Sequence, residues 1–186
     1  MLLSFDEQDA IGEIANISVG SAACYLGNVA DADVDVSIPS FKDIIGDSDN
    51  LNINGMSVGY MLSFTAFTAG YCAFVLNDNY EKFIKIIGCS SPDNDKLSKI
   101  LFRVMESSVE PIERLMEQTI SVSLVKPLSE KWNPDWGQDM GPLVSITFDI
   151  VIDSKINAKI VYVYPEKVAK SISARFLKNG VAIMTV

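Results

Sequence analysis

Apolar positions near the start of the chain recur at helical spacing. Ile11, Ile14, Ala15, Ala22, Tyr25 and Leu26 gather on one side of a 3.6-residue repeat. Acids crowd the beginning of that stretch, where the helix dipole favours them, so residues 6 to 29 predict a helix. The period then drops to two. Asp33, Val34, Asp35, Val36, Ser37 and Ile38 alternate polar with apolar, which predicts a half-buried strand closed by Pro39. A polar stretch with Asp43, Asp47, Asp49 and Asn50 predicts a loop. Residues 57–67 and 70–76 predict paired strands turning near Ala69 and Gly70, and 78–88 a short helix ending at Gly88.

The same order then recurs. Residues 95–118 predict a helix that Pro111 kinks or breaks, and 119–126 a strand ending at Pro127. A long polar loop through Trp132, Pro134, Trp136 and Gly137 follows. Strands at 143–152 and 156–164 and a helix from Pro165 to about Lys178 complete the series. Pro39 and Pro127 lie 88 positions apart, and Glu81-Lys82 and Glu166-Lys167 lie 85 apart. Recurrence at a near-constant offset predicts an internal duplication, with pseudo-repeats at roughly 6–88 and 95–178 inside a single domain spanning 1–186. The expected fold class is α+β: a mixed or antiparallel sheet with two long helices packed on one side, related by a pseudo-twofold.

Composition narrows the functions. Net charge is −9, so the surface repels phosphate backbones and anionic lipid, and neither nucleic acid nor a membrane is an expected partner. Residues 50 to 77 carry no charge and could span a bilayer by length. Their asparagines, glycines and alternating second half read as a hairpin instead. The start of the chain shows no signal peptide, so a cytoplasmic location is expected. Histidine is absent, which removes the residue best suited to acid–base work at neutral pH and the common zinc ligand sets. Cys24, Cys72 and Cys89 lack CxxC spacing and are expected as small buried hydrophobes, not ligands.

One constellation carries chemistry. Asp9, Glu13 and Asn16, spaced i, i+4 and i+7, fall within roughly 60° of arc on the first helix, opposite its apolar side. Gly12, Gly20, Ala23 and Gly27 surround them and suggest a surface kept low for a close-fitting partner. An ExxN pair alone also fits an ordinary solvated face, and Glu130 to Asn133 repeats it in an unsuitable loop. Asparagine is nonetheless a mediocre residue for a helix middle, because its amide competes with the backbone.

The word Asp9-x3-Glu13-x2-Asn16, followed after 22 residues by Pro39, resembles the signature of the CheC, CheX and FliY phosphatases. The surrounding residues from Asp9 to Ala23 are similar to the first site of CheC and of the FliY amino-terminal domain. The resemblance covers essentially the whole chain, including the hairpin and short helix at 57–88. It implies a CheC-like fold and hydrolysis of the aspartyl phosphate on a phosphorylated CheY-type response regulator. Carried over, Asn16 would orient the attacking water and Glu13 would pair with the regulator's active-site lysine. Asp9 would support them, and Pro39 would end the strand. The resemblance implies no cofactor or metal held by this chain; Mg²⁺ would sit in the partner regulator.

The family usually carries the motif in both halves. At an offset of 88, Asp9, Glu13 and Asn16 fall on Leu97, Leu101 and Val104, and no Asn lies between Asn94 and Asn133, so the second site is expected to be dead. The chain ends at Val186, without the carboxyl-terminal switch domain of FliY, which points to a free role away from the motor. Two alternatives stand beside the enzyme: a non-catalytic module that binds CheD or a flagellar switch component, and a dimeric CheX-like phosphatase.

Overall fold

The computed structural model describes residues 1–45, 55–64, 67–76, 80–89, 95–130 and 141–183. The tryptophan-bearing loop at 131–140 and the Asp47–Asn50 stretch lie outside them, as does most of the Glu130–Asn133 motif. Helix α1 runs Phe5–Ala30. Ser4 caps it by accepting from the Glu7 backbone N–H, and the Glu7 carboxylate answers the Ser4 N–H at 2.7 Å. That backbone donor holds the Glu7 carboxyl below the usual carboxylate range. Asp31 ends the helix in the left-handed conformation.

Two short strands follow, β1 (Val34–Val36) and β2 (Ser40–Ile44). The second replaces the expected loop at Asp43. Its exposure alternates along the strand, and its Asp43 carboxylate accepts from the Leu2 backbone N–H at 2.9 Å. Strands β3 (Met56–Phe64) and β4 (Phe67–Leu76) form the hairpin, and their pairing closes at Phe64 and Phe67. Gly70 is therefore inside β4, not at the turn. A Cβ there would stand 2.4 Å from the Val163 carbonyl at a φ of +155°, so only glycine fits.

Helix α2 (Tyr80–Ile86) precedes Gly88, whose φ is +67°. Helix α3 (Asp95–Met116) continues through Pro111 as one helix. Strand β5 (Ile120–Glu130) continues through Pro127, because it is an edge strand and the register slips there: Lys126 faces Gly59 while Glu130 faces Ser57. The hairpin β6 (Leu143–Ile152) and β7 (Ile156–Pro165) leads into α4 (Glu166–Ile183), longer than expected.

Every strand pairing is antiparallel, in the order β1-β6-β7-β4-β3-β5 with β2 also on β6. The long helices pack on one face, α1 against both α3 and α4. Beneath them lie Tyr60, Phe74, Phe148, Tyr162 and Tyr164 with Cys72. Burial pushes the three phenols and the Cys72 thiol up from their ordinary values. A smaller buried cluster, with Ala73, Val75, Val161 and Val163, occupies the other face.

The sheet repeats itself at the expected offset. Phe64 pairs with Ile120 as Ile152 pairs with Val34; Phe64 and Ile152 are 88 positions apart, and Val34 and Ile120 are 86 apart. The helices do not keep that offset. On α1 the buried positions include Ala10, Ile11, Ile14, Ala15, Ser18, Val19 and Ala22. On α3 they include Ile100, Leu101, Val104, Met105, Ser108, Val109 and Ile112, each 90 positions later. Leu97, Leu101 and Val104 are core residues, so they are not the counterparts of an exposed ridge. Counted by burial, Asp9, Glu13 and Asn16 correspond to Lys99, Arg103 and Glu106.

Candidate functional site

Asp9, Glu13 and Asn16 are all exposed on α1, and the apolar side of the helix is in the core. The side chains follow one another up the helix at i, i+4 and i+7, so an acid and an amide present themselves together to solvent. The first turn below them is held by the Ser4–Glu7 capping box. It is held from the side as well, because the Ser173 hydroxyl on α4 donates to the Glu7 carbonyl at 2.9 Å.

The edge strands flank this ridge. A Cβ on Gly12 would meet the Phe41 ring at 3.3 Å, and one on Gly27 would meet the Ala32 carbonyl at 3.0 Å and Val34 at 3.5 Å. Fifteen helical positions from Gly12 to Gly27 rise about 22 Å. Seven extended positions from Val34 to Phe41 cover about 23 Å. The segment from Val34 to Phe41 thus runs antiparallel to the helix alongside it. Pro39 is half-buried where the register gains a residue, since Val36 faces Ile150 while Ser40 faces Thr147.

The small residues around the ridge divide into two kinds. Gly12 and Gly27 make room for the chain's own edge strand, and Ala23 is buried, so their smallness serves internal packing. Gly20 is different. It is exposed, and an added Cβ would meet nothing within 4 Å. Glycine within a helix is less favourable than alanine by about 1 kcal/mol, and nothing in the chain's packing offsets that. Cys24 is exposed beside it, contrary to its expected burial, whereas Cys72 and Cys89 are buried; all three are free thiols. Ile17 and Ile38 are exposed apolar residues, with relative accessibilities of 47% and 90%. Ile17 lies beside the apolar face of α1, and Ile38, expected on the buried face of the first alternating strand, lies beyond the end of β1 and is exposed instead.

Among the described residues, no group of three or more Cys, Asp or Glu gathers closely enough to hold a metal ion. Nor is any described helix long and apolar enough to cross a membrane.

No family model matches the chain. It is 23% identical over 192 residues to the flagellar motor switch phosphatase FliY of Bacillus subtilis, covering 95% of this chain and 51% of that protein. The structure superposes on FliY of Thermotoga maritima with a TM-score of 0.72 at 22% identity, covering 96% of this chain and 99% of that one. The chain is thus similar to FliY in sequence and shares its fold. CheX of Desulfovibrio desulfuricans shares the fold more distantly, with a TM-score of 0.55 at 12% identity over 81% of this chain and 97% of its own. The FliM middle domain of Helicobacter pylori shares it too, with a TM-score of 0.69 at 14% identity over 93% and 99%. The same fold thus occurs in proteins named FliY, CheX and FliM, so the side chains on α1, not the fold, distinguish the possible roles. The chain spans about half the length of the curated FliY it matches.

Proposed function

We propose that this chain hydrolyses the aspartyl phosphate of a CheY-type response regulator, in the cytoplasm, through the ridge on α1. The observation that carries the reading is the joint exposure of Asp9, Glu13 and Asn16 on one helix, in the family's spacing. Phosphoryl transfer through a loose transition state asks chiefly for positioning and charge stabilisation. A carboxamide suits that task, because its oxygen accepts from a water while its NH₂ donates to a phosphate oxygen. In this reading Asn16 sets a water in line with the phosphorus. The water oxygen bonds to phosphorus as the bond to the regulator's aspartate breaks. The freed carboxylate stays on the regulator, and the water's proton leaves with inorganic phosphate. Glu13 pairs with a lysine of the regulator's pocket and fixes the approach, while Asp9 supports it from the preceding turn. The metal that phosphoryl chemistry requires belongs to the regulator.

The test is phosphate release from a phosphorylated CheY-type regulator, wild type against Asn16→Ala. Turnover should fall at least tenfold, about 1.4 kcal/mol of transition-state stabilisation, with the fold unchanged. Equal turnover in the two proteins would move the assignment to a second reading, a non-catalytic module that binds CheD or a switch component. The likeness to the FliM middle domain favours that second reading.

A further inference from the structure

An amide on a helix surface reaches a phosphorus inside another protein only if that protein lies along the whole ridge. The residues flanking Asn16 are then covered by the partner, and their chemistry says what it must present. Three such residues have no internal explanation. Gly20, one turn beyond Asn16, is exposed and borders open space, although glycine is disfavoured inside a helix. Ile17 is 47% exposed on one flank of the ridge. Ile38 is 90% exposed, three residues before Phe41, whose ring lies 3.3 Å from where a Cβ on Gly12 would stand, one turn before Asn16 on the helix. Apolar side chains around a polar centre exclude water from it when a partner closes, the arrangement that binding hot spots adopt.

We propose that Ile17, Gly20 and Ile38 form the docking rim for the phosphorylated regulator. The regulator seats an apolar surface beside its phosphate pocket on the two isoleucines and brings its backbone down onto Gly20. This rests on the phosphatase reading and adds a specificity surface to it. The rim discriminates among regulators by what surrounds their phosphate, while the ridge acts on the phosphate itself.

Ile38→Ser and Gly20→Leu test it, since neither position packs against anything within the chain. Two measurements are made on each protein. One is steady-state turnover of a phosphorylated CheY-type regulator; the other is the Kd for the same regulator carrying beryllium trifluoride in place of the phosphoryl group. Ile38→Ser should raise KM and Kd about fivefold and Gly20→Leu about tenfold, with kcat within twofold of wild type. A loss confined to kcat, or KM and Kd unchanged in both variants, overturns the docking rim. A wild type that binds the mimic without turnover, with binding weakened in both variants, supports the rim and overturns the phosphatase reading. A wild type that neither turns over nor binds overturns both.

Discussion

The helices α1 and α3 occupy matching places over a repeating sheet, and they have kept different things. Their inward faces agree position by position at a spacing of 90, down to a buried serine, Ser18 on one and Ser108 on the other. Their outward faces share nothing. Where α1 offers Asp9, Glu13 and Asn16, α3 has Lys99, Arg103 and Glu106. There the Arg103 guanidinium donates to Glu106 at 2.6 Å, an exposed pair contributing a few tenths of a kcal/mol at most. Where α1 leaves Gly20 open, α3 places Glu110, which pairs with Arg114. The difference teaches that the seam between the halves constrains a helix far more tightly than its outer ridge does. One ridge presents two acids and an amide, and the other is an ion-paired charged surface.

The sharpest way to break this comparison is Val104→Asn. Were the offset of 88 correct for helices, residue 104 would be solvent-facing and the change harmless. It is fully buried. Burying an unpartnered amide while losing apolar packing should therefore lower stability by about 3 kcal/mol, a fall in Tm of roughly 6–12 °C by thermal unfolding. Next in size is Asn16→Ala, which should reduce regulator dephosphorylation at least tenfold and leave Tm within about 2 °C. Glu106→Ala on the other ridge should leave turnover unchanged, and any comparable loss would show that both ridges work. A converse experiment rebuilds α3 in the Asn16→Ala background with Lys99→Asp, Arg103→Glu, Glu106→Asn and Glu110→Gly. Recovery of several-fold over that background supports the correspondence; no recovery shows that more than the ridge has been lost. The smallest effect concerns how the helices begin. Ser4→Ala removes half of the α1 capping box and should cost about 1 kcal/mol. Because the Glu7 carboxyl is held below its unfolded value, its contribution is present above the ordinary carboxylate pKa and is lost as pH falls through the lowered one. Acid titration of unfolding should therefore separate wild type from Glu7→Gln at pH 6 more than at pH 3, whereas Ser4→Ala keeps the backbone donor and most of that pH dependence.

Much of this architecture was readable in advance wherever one physical signal acted alone. The apolar stripe of α1 placed the helix within a residue at each end, and the β1 alternation and the second hairpin were equally plain. Readings failed where tertiary pairing overruled a local signal. Asp43 looked like loop because it is charged, but its strand is held by β6 and its carboxylate by the start of the chain. Pro127 looked like a strand end, but an edge strand with a register slip tolerates it. Gly70 looked like a turn, but it is glycine because the Val163 carbonyl leaves no room. The ridge itself was visible as spacing. Its apolar flank was not, because Ile38 continued the alternation of β1, yet that strand ends at Val36 and Ile38 is exposed.

Three phenols lie under the seam between the halves, and ordinary alkali finds them out of reach. An unfolded chain gives up those protons near pH 10, while the folded one keeps them well beyond. Each pH step above 10 therefore favours the open chain, and the phenols buried beneath the long helices are where that loss of stability originates.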